Sequence, residues 1–325
     1  MTQKITRRTA MGAVLAAAAS SLPFAALAQA GTVRFVLPNA TGSGVDAITR
    51  AAAPALGKAL GASVVVENQS GASGIVGLQT LARSAPDGNT LSVVSNNVVI
   101  FPSVIKSLPF DMPGDFTPIA VVGATPMVLI VNPNKVHATN SREFIAALKA
   151  KPGELNFGSG GNGTILHLAA EIYLDATGTK ARHIPYKGVG PMVTDLLSGQ
   201  IDFAVAAMPS VQAHIKSGAL KAIGMLAPQR TPAAPEIPTF AEQGLKDFAV
   251  EAWFAVIGPK GMSPALVKKT HEAVVAAFND PAVKETMAKQ GNSIHISTVE
   301  GAQAAFRSEM AKYAATVKKI GLEPQ

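Results

Sequence analysis

The sequence predicts an α/β protein of two domains that enclose a cleft. Short β-rich runs alternate with helix-like segments along the chain, a pattern typical of sheets covered by helices. About 295 residues follow the first 30, which is enough for two domains of ordinary size. Hydrophobic residues make up 48% of the chain and charged residues 15%, so the composition is that of a globular protein.

Residues 1–30 have the three zones of a secretory signal peptide. The segment 4–8 is positively charged, and an Ala-rich apolar stretch follows over 10–22. Small residues precede Gln29 and Gly31 at the spacing that a signal peptidase reads. We therefore expect an exported chain that is cleaved before Gln29 or before Gly31.

Two other interpretations of this segment stay open. A retained membrane anchor is possible, although the apolar run is shorter than the roughly 20 residues that a bilayer requires and Pro23 interrupts it. The pair Arg7–Arg8 permits the twin-arginine export route. The weakly hydrophobic residues after that pair favour the general route.

The elements of the first domain follow from hydrophobic patterning between glycine-rich loops and turns. Short runs rich in Val, Leu and Phe predict strands, and longer runs with apolar residues at helical spacing predict helices. Predicted strands lie at 33–37, 63–67 and 91–95, and predicted helices lie at 46–60 and 75–84.

The same reasoning continues into the second half of the chain. Ser141 is the expected N-cap of a helix that ends at 149, and the Pro-rich segment 228–238 is a loop. Predicted strands lie at 155–157, 181–185, 202–206, 220–226 and 251–257. Predicted helices lie at 164–176, 192–198, 264–278, 281–290 and 299–320.

The C-terminal helices have no sheet of their own, so we expect them to pack back on the first domain. That domain is then discontinuous and comprises residues 31–130 plus 251–325, while residues 131–250 form the second domain. Two connections between the domains, near Val131 and Val250, would give a hinged pair of lobes.

Composition and motif searches exclude several function classes. The chain has no cysteine, which rules out disulfides, thiol nucleophiles and thiolate metal sites. The net charge is +7, and three of these charges lie in residues 1–30, which leaves +4 for the rest of the chain. That part contains no block of Lys and Arg residues, so nucleic-acid binding is not indicated. The six histidines lack metal-ligand spacing, and no nucleophile elbow occurs. We expect no catalytic residue, no metal and no cofactor.

Two glycine-rich loops each connect a predicted strand to a predicted helix. The segment 42–47 (GSGVDA) matches a dinucleotide-binding spacing, with Glu67 about 20 residues further on. An exported NAD(P)-binding oxidoreductase is therefore an alternative. The loop at 158–163 (GSGGNG) is similar, and two copies in two domains favour a shared role. Each would expose N–H groups at a helix N-terminus, where a carboxylate is stabilised.

At these residues the chain resembles the Bug-type receptors of tripartite tricarboxylate transporters. The matching motifs occur in order over essentially the whole mature chain. They are VRFVLP (33–38), DAITR (46–50), VVVEN (64–68), GASG (71–74), APDGNTL (85–91), LNFGS (155–159), GT (163–164), HLA (167–169), IPYKG (184–188) and IPTFAEQG (237–244).

The resemblance implies a two-domain periplasmic binding protein of the Venus flytrap, type II-like, architecture. It implies a periplasmic receptor that hands a small organic carboxylate to a membrane permease. We expect this receptor to be a monomer. An orphan ligand sensor with the same fold is the second alternative. The first loop departs from the usual P-x-x-P-G-G pattern because the chain reads PNATGS at 38–43, which adds the hydroxyls of Thr41 and Ser43. We hypothesise that these hydroxyls tune ligand choice.

The candidate ligand-binding residues come from both loops and from neighbouring strand ends. Asp46 is expected to shape its loop more than to bind ligand. A structural role for His167 is as compatible with the sequence as a ligand contact, and a core position for Met208 is as compatible as a place in the cleft wall. Asn97 follows the third predicted strand together with Asn96 and is also expected to line the cleft, whereas Trp253 is expected in the core. The candidates in the first domain are Thr41, Gly42, Ser43, Asp46 and Asn96, and those in the second domain are Ser159, Asn162, Gly163, Thr164, His167, Tyr186 and Met208.

Overall fold

The computed structural model describes residues 31–246 and 248–324. The signal peptide predicted at residues 1–30 lies outside the described residues. None of the helices within residues 31–246 and 248–324 combines the length and the hydrophobicity of a membrane-spanning segment.

A six-stranded mixed sheet organises the first lobe. Its strands are β1 (Thr32–Leu37), β2 (Ser63–Asn68), β3 (Thr90–Ser95), β4 (Phe116–Thr125), β10 (Ala252–Pro259) and β11 (Ser293–Ile294). They lie in the order β11-β4-β10-β3-β1-β2. β1 is parallel to β2 and β3, and β10 lies antiparallel between β3 and β4.

A five-stranded mixed sheet organises the second lobe. Its strands are β5 (Met127–Val131), β6 (Asn156–Ser159), β7 (Arg182–Pro185), β8 (Phe203–Ala207) and β9 (Lys221–Met225). They lie in the order β7-β6-β8-β5-β9. β5 is antiparallel to β8 and β9, whereas β6 is parallel to β7 and β8.

Helices cover both sheets, and the two sheets with their helices confirm the predicted fold class. The first lobe contains α1 (Gly44–Leu60), α2 (Ile75–Ala82), α3 (Asn97–Val104), α8 (Pro264–Phe278), α9 (Pro281–Lys289) and α10 (Val299–Lys319). The second lobe contains α4 (Ser141–Ala150), α5 (Ile165–Thr177), α6 (Val189–Ser198) and α7 (Met208–Lys216).

The C-terminal helix α10 packs on β4 and α3 of the first lobe. Phe306 and Tyr313 of this helix are buried in an apolar cluster that also contains Val98 and Phe101 of α3. The same cluster continues into the second lobe through residues such as Leu166, so the two lobes are in apolar contact.

The chain enters the second lobe at Pro126 and returns between β9 and β10. We therefore propose domains of 32–125 with 252–324 and of 127–250, which moves the first crossing from Val131 to Pro126 and keeps the second near Val250, since Phe240 and Phe248 pack on Tyr173 of the second lobe. β4 and β5 were not predicted as strands. β5 is buried along its whole length, so its residues form a continuous apolar run without alternation.

One predicted helix cap is wrong by one residue. Asn140, and not Ser141, is the N-cap of α4, and its side chain accepts the N–H of Glu143 at 3.0 Å. Asn140 has extended backbone angles, as an N-cap requires, whereas Ser141 is the first helical residue and is buried.

Candidate functional site

A cavity of about 720 Å³, including its opening to solvent, lies between the two lobes. Its wall contains the N-termini of α1 and α5, the loop after β1 and the first residues of α3 and α6. The wall includes Asn39, Ser43, Gly44, Val45, Asn97 and Trp253 from the first lobe, and Gly160, Thr164, Ile165, Leu166 and Val189 from the second.

The cavity wall carries no ionisable side chain among the residues that the structure describes. Any stabilisation of an anion in this cavity must therefore come from dipoles and hydrogen-bond donors. The N-terminus of a helix supplies both, because its first N–H groups lack acceptors within the helix and the helix dipole is positive there.

The start of α1 is shaped by a local hydrogen-bond pattern. Gly42 adopts a left-handed conformation with φ of +80°, and Ser43 is the N-cap, whose Oγ accepts the N–H of Asp46 at 3.2 Å. The Asp46 carboxylate is 4% exposed and accepts the Gly42 N–H at 2.9 Å through Oδ2. Its Oδ1 accepts hydrogen bonds from Arg50 and Asn68.

These contacts determine which donors of the first loop reach the cavity. Gly44 and Val45 line the cavity, and their N–H groups have no acceptor among the described residues. Thr41 and Gly42, predicted as carboxylate donors, are exposed and do not line it. The reason is that the Gly42 N–H points to Asp46, which itself lies outside the wall.

The start of α5 repeats this arrangement in the second lobe. Gly163 has φ of +70°, and Thr164 is the N-cap, whose Oγ1 accepts the N–H of His167 at 3.4 Å. His167 takes the place of Asp46, because its Nδ1 accepts the Gly163 N–H at 3.2 Å. Thr164, Ile165 and Leu166 line the cavity.

The other predicted residues of this loop lie behind the cavity wall. Ser159 is fully buried, and its Oγ bonds within the loop to the backbone of Gly161. Asn162 and Gly163 do not line the cavity, whereas Gly160 does. The loop therefore contributes Gly160 and the helix start to the wall, and its remaining residues hold the turn.

Two stacked imidazoles support the second loop from behind. The rings of His167 and His183 lie 3.7 Å apart at their centroids with an interplanar angle of 9°. His167 Nε2 is 3.5 Å from Oε1 of Glu171, and His183 Nε2 shares a 2.7 Å hydrogen bond with Ser159 Oγ. Burial, aided by repulsion from His167, lowers the pKa of His183 to about 3. His183 is therefore neutral at pH 7, while His167 Nδ1 accepts the N–H of Gly163.

Three further predicted residues also lie outside the wall. Tyr186 donates its hydroxyl to Asp195 at 2.8 Å, and burial together with this contact raises the pKa of Tyr186 to about 12. Met208 is 1% exposed in the core of the second lobe. Asn96 is fully buried, and its Nδ2 donates to the Glu251 carbonyl and to the Tyr313 hydroxyl.

Sequence reasoning missed several residues of the wall. Asn39, in the loop after β1, lines the cavity and was not predicted, whereas of the two expected residues Asn96 and Asn97 only Asn97 lines it. The Oδ1 atom of Asn39 is buried without a partner among the described residues. Trp253, expected in the core, lines the cavity, and its Nε1 donates to Glu309 at 3.3 Å. Asn39 and Asn97 follow the carboxyl ends of β1 and β3, and this position was the available signal for these two residues.

Comparison with known proteins gives consistent matches. The sequence profile of the tripartite tricarboxylate transporter family receptor matches residues 48–322. Protein BugT of Bordetella pertussis (strain Tohama I) is 35% identical over 291 residues, which cover 89% of each chain.

Solved structures agree with this match. The periplasmic binding protein BugD superposes with a TM-score of 0.85 at 31% identity, over 90% of this chain and 99% of that one. MatC from Rhodopseudomonas palustris, solved with bound malate, superposes with a TM-score of 0.81 at 26% identity, over 88% and 98%. The chain therefore belongs to the Bug-type receptors of the tripartite tricarboxylate transporter family, as its motifs predicted.

Proposed function

We propose that the mature chain is a monomeric periplasmic receptor that captures a small organic carboxylate and delivers it to a permease of the tripartite tricarboxylate type. The observation that carries this proposal is the uncharged cavity between the N-termini of α1 and α5. Export through a cleaved signal peptide at residues 1–30 belongs to the same proposal.

The chemistry of the cavity supports a carboxylate ligand. The free N–H groups of Gly44 and Val45 and the hydroxyl of Ser43 form a donor set at the positive end of the α1 dipole. The malate held by the related MatC is a ligand of this class.

The loop geometry does not favour the dinucleotide alternative. The N–H of Gly42 is occupied by the buried Asp46 carboxylate, whose negative charge would face a pyrophosphate. Glu67, the residue expected to bind a ribose, instead pairs with Arg34 at 2.7 Å. The Arg34 contact also lowers the pKa of Glu67.

A thermal-shift screen tests the proposal. The panel contains organic acids in matched pairs, such as malate and succinate, together with NAD. An acid present at 100 times its Kd should stabilise the fold by about 2.7 kcal/mol, which corresponds to a rise of several degrees in Tm. A rise with NAD and with none of the acids would contradict the proposal.

A Ser43→Gly variant tests the role of the loop hydroxyl. Glycine is also accepted as an N-cap, so the helix should lose only a few tenths of a kcal/mol. Loss of one hydroxyl donor should weaken acid binding by about 3- to 10-fold, measured by calorimetry.

Ser263→Gly is the matched control, because Ser263 is the N-cap of α8 and does not line the cavity. Its acid affinity should equal that of the wild type. If Ser43→Gly also leaves the affinity and the ligand profile unchanged, the hydroxyl has no part in ligand choice.

A further inference from the structure

Asn97 makes a direct hydrogen bond from one lobe to the other. It is the first residue of α3, and its side chain is 8% exposed and lines the cavity. Its Oδ1 accepts the N–H of Ile165, the first residue of α5, at 2.7 Å. A longer hydrogen bond across the cleft joins Ser210 Oγ to the carbonyl oxygen of Gly42 at 3.3 Å.

The position of Asn97 breaks the similarity between the two helix starts. In α1, the first N–H, that of Gly44, has no acceptor among the described residues. In α5, the equivalent N–H of Ile165 is occupied by the amide oxygen of Asn97. The α1 terminus is therefore the one that keeps its first two donors available to a ligand.

The orientation of the Asn97 amide is fixed by chemistry. The N–H of Ile165 can only donate, so the side-chain atom that it meets must be the oxygen. The Nδ2 group then has no acceptor among the residues that the structure describes, and it is not one of the fully buried side-chain atoms that lack a partner. Nδ2 is therefore an accessible donor in the cavity wall, and a ligand carboxylate is a suitable acceptor for it.

The backbone that carries Asn97 is firmly held in the first lobe. Asn96, immediately before it, donates to the Glu251 carbonyl and to the Tyr313 hydroxyl at 2.8 Å each. These contacts tie the start of α3 to β10 and α10. The Asn97 side chain can therefore meet α5 only when the lobes are closed.

We propose that Asn97 couples ligand capture to lobe closure. Its Oδ1 caps α5 in the closed form, and its Nδ2 donates to the ligand carboxylate held at the start of α1. A bond at Nδ2 also makes Oδ1 a better acceptor, so binding strengthens the contact between the lobes. The role of Nδ2 as a donor to the ligand rests on the proposed function, whereas the capping of α5 by Oδ1 does not require a ligand.

Two substitutions at Asn97 separate the donor role of Nδ2 from the capping role of Oδ1. Asn97→Asp keeps an acceptor for Ile165 at the positive end of α5, but it replaces the donor by a negative oxygen that repels a carboxylate. Asn97→Ala removes both groups. Asn134→Asp is the matched control, since Asn134 is exposed and does not line the cavity.

Lobe closure without ligand is followed by double electron–electron resonance, which measures the distance between two spin labels. The chain has no cysteine, so Lys58→Cys in α1 and Thr194→Cys in α6 give one exposed label on each lobe. We expect a short distance in the wild type and in Asn97→Asp, and a longer, broader distribution in Asn97→Ala. Equal distributions in the wild type and in Asn97→Ala would overturn the capping role.

Affinity is measured by calorimetry with the panel acid that gives the largest thermal shift, the same acid for every variant. We expect at least 100-fold weaker binding in Asn97→Asp, about 10- to 100-fold weaker binding in Asn97→Ala, and no change in Asn134→Asp. Wild-type affinity in Asn97→Asp would overturn the donor role. If the wild type binds no acid, the proposed function fails, while the ligand-free distances still test the capping role.

Discussion

A Gly163→Ala variant is expected to bind the acid about 10- to 100-fold more weakly than the wild type. A Cβ atom at this position would overlap Cγ2 of Val104 and approach its Cβ to 3.1 Å. Val104 belongs to α3 in the first lobe and Gly163 to the second, so the overlap opposes closure. Overpacking of this kind costs about 1–3 kcal/mol, and calorimetry would measure its effect on affinity.

Gly178→Ala is the matched control for this variant. Gly178 also has a left-handed backbone, with φ of +61°, but a Cβ there meets nothing within 4 Å. Both variants should lose about 1 kcal/mol of stability through backbone strain, while Gly178→Ala keeps its affinity. The double variant with Val104→Ala should recover binding. Equal affinities in Gly163→Ala and Gly178→Ala would show that this contact does not limit closure.

Lowering the pH from 7 to 5 is expected to reduce the free energy of unfolding by about 1–2 kcal/mol through His183 alone. Its pKa is about 3 in the folded chain, because burial and the nearby His167 disfavour the cation, and 6.5 without these effects. Between pH 3 and pH 6.5 the unfolded chain binds more protons at this residue than the folded chain does. The contribution of His183 to the free energy of unfolding is therefore present above pH 6.5 and is lost as the pH falls toward 3.

Urea unfolding at both pH values measures this effect. His183→Gln should show a smaller loss of stability between pH 7 and pH 5 than the wild type, because glutamine does not titrate. His137→Gln, at an exposed position of the second lobe, is the control and should retain the wild-type pH dependence. An identical loss in His183→Gln and the wild type would exclude the imidazole pair as the cause.

Local patterns in the sequence predict much of the fold. Alternating β-rich and helical runs identify most elements, and the ordered motifs identify the family. The run from β4 to β5 escapes this reasoning, because β5 is covered on both faces and shows no alternation. A buried strand of this kind is recognised only when its partners, β8 and β9, are known.

The candidate site is predicted less completely for a related reason. The spacing of Ser43 and Asp46 indicates a helix N-terminus with a capping pair, and this local pattern is sufficient to explain why the Gly42 N–H is occupied. The contact between Asn97 and Ile165 joins residues 68 positions apart across two lobes. No local pattern distinguishes Asn97 from Asn96 in that role.

A crystal structure of the chain with the acid that gives the largest thermal shift tests the central claim most directly. We expect one carboxylate of the acid between the lobes, with an oxygen at about 2.7–3.2 Å from the backbone nitrogen of Gly44 or Val45. An acid bound elsewhere, or one whose carboxylate lies away from the start of α1, would contradict the account.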